Sequence, residues 1–360
     1  MSAKIAGILL DDNRARLVEL MKTGAEPEPG WELAEAVWQR GKNIVSFEGK
    51  EQLATLVAAA DVFITDYHNS ELAELGANPD DLCAKHPRMV CLQISGYGRD
   101  SAREKDAWSE ILIWAHLGFY QRQAGNREGP KMPTFPAGSY ATSFNSITSI
   151  LTALHVRSAT GRGQVVETSI ADGLASQQGM MWYWSELDSA PDTPINISKG
   201  GMGRLVLESY LCADAEWVHV HSGSKGGFSR LMVLAGLQEQ IPPIPTDAAS
   251  EIGQPIEPWQ IELIHESLPA MFAGKSRAEW LKILRDLDIP VMPDLLPGEI
   301  YVDPQVLENQ LSALVELPSG ETVRAGGAVV KFSETVSSPA IVAQRKIGTD
   351  EALADFKTAI

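Results

Sequence analysis

Carboxylates serve as nucleophiles and as general acids or bases. This 360-residue chain carries 47 Asp plus Glu against 30 Lys plus Arg, for a formal charge of −17. None of those acids lies between Glu128 and Glu167. By proportion the window 129–166 should hold about five. It reads either as a small-residue loop entering a buried helix or as a site from which an acid has gone. Other candidate groups are sparse. His219 and His221 alternate along a strand and share a face, but no third ligand accompanies them and no metal site is expected. Cys83, Cys91 and Cys212 lack metal-ligand spacing and sit among apolar residues, as buried thiols of a reducing cytoplasm would. There is no phosphate loop ending in Lys-Ser/Thr, no paired-His metal helix and no G-x-S-x-G elbow.

The elements that must position any chemistry follow from pattern. "ADVFITDYHN" and "RMVCLQISGYG" are apolar β-runs, and between them "SELAELGANPDDLCAKHP" reads as two short helices. Asn78 caps the second, with Pro79 in its first turn and Pro87 stopping it. Strand, helix and doubly buried strand make a parallel sheet, so a large α/β domain is expected. Phe144, Ile147, Ile150, Leu151 and Leu154 recur at helical spacing, which predicts a buried face over 142–158. "TGRGQ" breaks that helix, "VVETSI" resumes as strand, and "ADGLASQQGMMWYWSEL" begins another helix. Near residue 189 the texture changes. "DSAPDTPINISKGGMGR" is rich in Pro, Gly and Ser, and period-2 strands "LVLESYLC" and "EWVHVHS" follow. Ser276 and Glu279 stand in capping-box register. "ALVELPSGETVRAGG" is a hairpin about Pro318, Ser319 and Gly320, and a polar tail follows. These breaks divide the chain into a discontinuous large domain (1–188 and 313–360) and a smaller α+β domain (189–312).

Net acidity excludes DNA and RNA as partners, since phosphate binding needs clustered Lys and Arg. No run approaches the 18 or so apolar residues that span a bilayer, and no basic stretch precedes an apolar one at the N-terminus. A cytoplasmic protein without membrane attachment is the expectation.

Taken in order, "ADVFITDYHNSELAELG", "HPRMVCLQISGYG", "ILTALHVRSATGRGQVVETSIADG", "KGGMG", "YLCADAEWVHVHS" and "IYVDPQVLENQLSALVELPSGE" resemble the class III CoA-transferases. That family includes formyl-CoA transferases, carnitine-type CoA-transferases and 2-methylacyl-CoA racemases. The resemblance spans about residues 31 to 350, with "TGRGQ" its most specific block. It implies a large Rossmann-like parallel-sheet domain with a smaller α+β domain, two chains interlocked as rings, and coenzyme A or an acyl-CoA as ligand, with no metal.

Transferases of the family form an acyl anhydride and then a CoA thioester on one Asp, 21 residues before the Thr of "TGRGQ". Counting back from Thr160 reaches Ser139. The resemblance thus implies that the acylated carboxylate is missing. Serine cannot form the anhydride, and it needs an adjacent base to act as a nucleophile. The racemases' His–Asp pair falls on Ser109 and Glu110. Of the nucleotide-contacting segment, "TDYHNSELAELG" keeps Asp66 and the aromatic Tyr67, weakens one cation to His68 and reverses another at Glu74. The family's opening strand and turn find no match in residues 1–30. Trp38, Arg40 and Lys42 match a block whose cations meet phosphate. Gly96 and Tyr97 match "SGYG", and Gly200, Gly201 and Gly203 match a glycine loop that folds over the intermediate. The expected function is the non-catalytic subunit of a CoA-transferase, a homodimer or a heteromer with an Asp-bearing relative. Alternatives are a stand-alone enzyme acting on an acyl-CoA or carboxylic acid through Glu110, Ser139 and Tyr140, or a homodimer that binds ligand without turnover.

Overall fold

The computed structural model describes residues 1–25, 30–106, 108–121, 131–132, 135–179, 204–244, 251, 254–317, 319–335 and 344–357. The chain divides into two units, one formed by residues 1–121, 129–183 and 303–360, the other by 122–128 and 184–302.

The first unit alternates strand and helix. Its elements run α1 (Ser2–Asp11), β1 (Val18–Lys22), α2 (Glu32–Trp38), β2 (Asn43–Phe47), α3 (Lys50–Ala58), β3 (Val62–Thr65), α4 (Asn69–Leu75), α5 (Pro79–Lys85) and β4 (Val90–Ser95). They continue with α6 (Glu110–His116), α7 (Ala137–Thr160), β5 (Val165–Ser169) and α8 (Ile170–Gln177). β4 lies between β3 and β5, parallel to both, and Val90, Cys91, Leu92 and Ile94 are at most 1% exposed. A strand with neighbours on both sides and helices on both faces reads as a continuous apolar run, which is how β4 appears in the sequence. Asn78 accepts from the Asp80 and Asp81 amides and caps α5 as expected, with Pro79 at its start.

The breaker "TGRGQ" has a steric cause. Gly161 ends α7 at φ 75°, and at Gly163 a Cβ would come within 1.9 Å of the Met89 carbonyl oxygen. No side chain fits there, so the return from α7 into β5 requires glycine.

The second unit is built on an antiparallel sheet of β6 (Leu207–Leu211), β7 (Trp217–His221) and β8 (Val291–Asp294), in that order. It also holds helices α9 (Gly227–Leu234), α10 (Pro258–Phe272), α11 (Arg277–Asp286) and the single turn α12 (Pro297–Ile300). Val218 and Val220 enter the core with Phe228, Leu231, Phe272 and Leu284, so His219 and His221 take the opposite face. Ser276 and Glu279 close the expected capping box on α11.

The chain re-enters the first unit through α13 (Pro304–Glu308) and the hairpin β9 (Ser312–Glu316) and β10 (Thr322–Gly326), whose Pro318 lies outside the described residues. The tail then departs from the expectation of a merely polar extension. β11 (Arg345–Lys346) pairs parallel to β2, and α14 (Thr349–Lys357) packs against α3 and β2 with Ala352 fully buried. Two residues of strand are too short to leave a periodic signal.

The buried face expected on α7 is realised only in part. Ile150 is 1% exposed, whereas Phe144 and Leu151 are 49% and 55% exposed. These open residues line a large cavity between two separate parallel sheets, β1-β2-β11 and β3-β4-β5.

Candidate functional site

The amino end of α7 begins at Pro136 with no capping side chain and has no acid in its first turn. That end of a helix exposes unpaired amides and carries partial positive charge, so it attracts an anion. The anion comes from α6. Ser109 caps α6 by accepting from the Leu112 amide, which sets Glu110 at the first helical position with its carboxylate against α7. Glu110 Oε1 accepts from the Gly138 amide at 2.7 Å and from Trp114 Nε1 at 2.9 Å. Oε2 accepts from the Ser139 amide at 3.0 Å and from the Ser139 hydroxyl. Ser139 itself is 3% exposed. The acid-free window is thus complemented in space by an acid 29 residues away from Ser139 in the chain.

The remaining residues of this centre are apolar or aromatic. Ile113, Trp114, Phe119, Ile170 and Leu174 form the buried cluster behind Glu110, with Tyr97 and Trp108 packed against it. Gly96 lies flat under Trp108, where a Cβ would meet the indole at 2.4 Å. Tyr97 takes the edge of His116 at 5.8 Å and the guanidinium of Arg103 at 5.7 Å. Tyr140 stacks on Phe135, 5.3 Å between centroids. Glu110, Ser139, Gly96 and Tyr97 are therefore brought to one neighbourhood.

The residues matched to phosphate contacts are engaged inside the fold. Arg40 and Asp12 form a bidentate pair at 2.5 and 2.8 Å, both essentially buried. Lys42 is 1% exposed and donates to the Lys4 carbonyl and to Glu19 Oε2, each at 3.0 Å. Burial pushes its ammonium below the usual lysine range, opposed by the attraction of Glu19. Neither cation faces solvent. Trp38 sits 5.7 Å from Trp31 at the rim of the large cavity.

Asp66, Tyr67 and His68 do gather, around a small cleft with Gln93, Arg99 and Glu104. His68 Nδ1 lies 3.0 Å from the Glu104 carbonyl, and Lys22 Nζ lies 5.4 Å from the centre of the Tyr67 ring. Burial first, then Asp66 and Glu71, push the Tyr67 phenol up. Arg99 is the cation that sequence reasoning passed over. It bonds Asp80, and Asp100 and Glu167 each lie 3.7 Å from its Nε. Its signal was the position directly after the "SGYG" turn. Gly200, Gly201 and Gly203 lie outside the described residues. Among the described residues no group of His, Cys, Asp and Glu is arranged to hold a metal ion, and no helix is long and apolar enough to cross a membrane.

Comparison with known proteins places the whole chain. The chain is 24% identical over 301 residues to the alpha-methylacyl-CoA racemase of Mus musculus, covering 80% of this chain and 73% of that one. It is 24% identical over 315 residues to the succinyl-CoA:mesaconate CoA-transferase of Haloarcula marismortui, covering 82% and 74%. In fold it is similar to a CAIB/BAIF family protein from Brucella suis, with a TM-score of 0.79 at 18% identity over 98% and 93% of the two chains. Residues 19–350 match a single family over nearly the whole length, and the chain belongs to CoA-transferase family III.

Proposed function

We propose that this protein is a CoA-transferase-like subunit of acyl-CoA metabolism that does not form the acyl intermediate itself and completes an Asp-bearing relative in a heteromer. One observation carries this reading. The carboxylate at the α7 terminus belongs to Glu110, and its two oxygens take four hydrogen bonds from Gly138, Ser139 and Trp114. To attack a thioester, that carboxylate must free one oxygen from the two donors it holds, and bonds to a charged acceptor contribute about 1.5–3 kcal/mol each. Ser139 is buried and donates its proton to an acid that is itself fully engaged. The pair serves as a cap, with no free nucleophile.

A second reading rests on the same carboxylate. An anion held at a helix amino end is where an acyl acceptor is stabilised, so Glu110 itself would carry the acyl group in a stand-alone enzyme. The readings separate experimentally. The purified chain is incubated with succinyl-CoA, quenched with hydroxylamine and mapped by mass spectrometry. No adduct, together with a 1:1 complex on coexpression with an Asp-bearing relative, is the expected outcome. A hydroxamate at Glu110 would establish the second reading instead.

A further inference from the structure

The outer face of the β6–β7–β8 sheet in the second unit carries residues that the proposed function does not use. Val218 and Val220 point into the core, so Trp217, His219 and His221 point out. Ser209 of β6 and Met292 of β8 stand directly opposite His219. Leu207, Leu211, Trp217 and Met292 are 44–65% exposed. The outward positions of the three strands hold one acid, Asp294, and no Lys or Arg. An indole, a methionine and two leucines around a centre with one charge have the make-up of an interface core.

Ser209, His219 and Asp294 are the residue types of a serine triad, but their order excludes that chemistry. Ser209 Oγ donates to Asp294 Oδ2 at 2.8 Å and lies 2.9 Å from His219 Nδ1. A carboxylate only accepts, so the one hydroxyl proton goes to Asp294 and the Ser209 oxygen accepts from Nδ1–H of His219. A nucleophilic serine needs that proton aimed at the imidazole. The chain of bonds instead fixes neutral His219 with Nε2 unprotonated, as an acceptor. His221 is fixed the other way. Its Nδ1 accepts from the Gly223 amide at 3.1 Å, so its proton sits on Nε2, a donor. A ligating nitrogen must be unprotonated, so His221 does not join His219 in holding a metal.

Small molecules take concave sites, whereas a sheet face is open and fits another surface. The acceptor and the donor stand two residues apart on one strand, about 6–7 Å. Reversed end for end, such a pair is its own complement. We infer that this face docks on the same face of a second copy of the chain, about a two-fold axis that lies in the contact and crosses β7 at Val220. His219 Nε2 of each copy then accepts from His221 Nε2 of the other, the reciprocity that a two-fold contact requires. The same operation lays Trp217 of each copy over Gly223 of the other. Leu207 and Met292, opposite His221 and His219, flank the pair and lose water with it. The contact uses neither Glu110 nor Ser139 and stands independently of the proposed function. In a heteromer it would join two heteromers through this chain.

The test is sedimentation equilibrium of the purified 360-residue chain and its variants at up to about 100 µM. Met292→Lys puts a charge at an exposed position, so Tm should stay within about 2 °C while the mass of the largest assembly falls by half. His219→Phe keeps a ring but removes the acceptor from both pairs, and should weaken self-association about tenfold or more. When His219→Cys and His221→Cys chains are mixed, a short bismaleimide should join position 219 to position 221 in excess of like-to-like cross-links. Equal masses for the native chain and Met292→Lys would overturn the inference. So would His219→Phe that associates like the native chain, or an excess of like-to-like cross-links.

Discussion

The Ser139 hydroxyl and amide both donate to one oxygen of Glu110, so the residue at the start of α7 and the first residue of α6 form a closed pair. The pair fixes two helices against each other and leaves no unpaired oxygen on the acid. Its consequences are measurable as stability before they are measurable as activity.

Glu110→Ala leaves the Gly138 and Ser139 amides and the Trp114 indole without their acceptor. A loss of about 2–4 kcal/mol is expected. Ser139→Ala removes one of four donors and should cost about 1 kcal/mol. In the double variant the losses should fall short of their sum by about 1 kcal/mol, as residues in direct contact do. Urea denaturation followed by far-UV circular dichroism checks this. Full additivity would mean that the hydroxyl bond contributes nothing.

The TGRGQ turn gives a sharper steric test. Gly163→Ala places a methyl carbon 1.9 Å from the Met89 carbonyl oxygen, far inside van der Waals contact. Backbone on both sides must shift, so a loss of about 3 kcal/mol or failure to fold is expected. Gly179→Ala, where nothing lies within 4 Å, is the control and should be neutral.

The local features of this fold were legible because their causes are local. Asn78 with Pro79, Ser276 with Glu279 and Gly161 at the end of α7 each act within a few residues, and each appears where the sequence implies. The run of β4 was legible because its burial is on both faces. What escaped depends on partners distant in the chain. Nothing near Glu110 announces that its carboxylate reaches Ser139, nor near Arg40 that Asp12 receives it 28 residues away. Arg40 and Lys42 look like phosphate ligands by type and spacing, and only tertiary structure turns them inward. The α7 face was read as buried, and the structure buries Ile150 but leaves Phe144 and Leu151 about half exposed, because the periodicity of one helix reports apolar spacing and not what packs against it.

The Arg40–Asp12 pair supplies a third prediction. Breaking a buried pair strands a charge, so Asp12→Ala should destabilise by about 3–5 kcal/mol, while replacing both members with Met and Leu should recover most of it. Chemical denaturation of the single and double variants decides this. If Arg40 instead served a ligand, Asp12→Ala would free it and CoA binding would tighten, which isothermal titration would detect.

Thiol chemistry follows from burial. Cys91 is fully buried and Cys212 is 4% exposed, and burial pushes both thiols up. At pH 8 neither should react with iodoacetamide in the native protein, while the half-buried Cys83 reacts slowly and urea releases all three. Rapid native labelling at Cys91 would contradict the doubly covered position of β4.

Lys42 provides a pH dependence whose sign separates two forces. Burial lowers its pKa from the usual 10.5, and the neighbouring Glu19 carboxylate opposes that shift. If burial wins, the unfolded chain holds a proton on Lys42 that the folded chain has released, between the lowered folded value and 10.5. Stability then rises with pH across that window, because the unfolded state binds more protons there. Below the window both states are protonated and above it both are neutral, so the contribution is flat on either side. Tyrosines and cysteines also titrate in this range, and a comparison with Lys42→Met cancels them. The unfolding free energy of the native sequence minus that of Lys42→Met should therefore increase from neutral pH toward 10.5. A difference that falls with pH would show that the Glu19 ion pair outweighs desolvation and that Lys42 is held charged inside the fold.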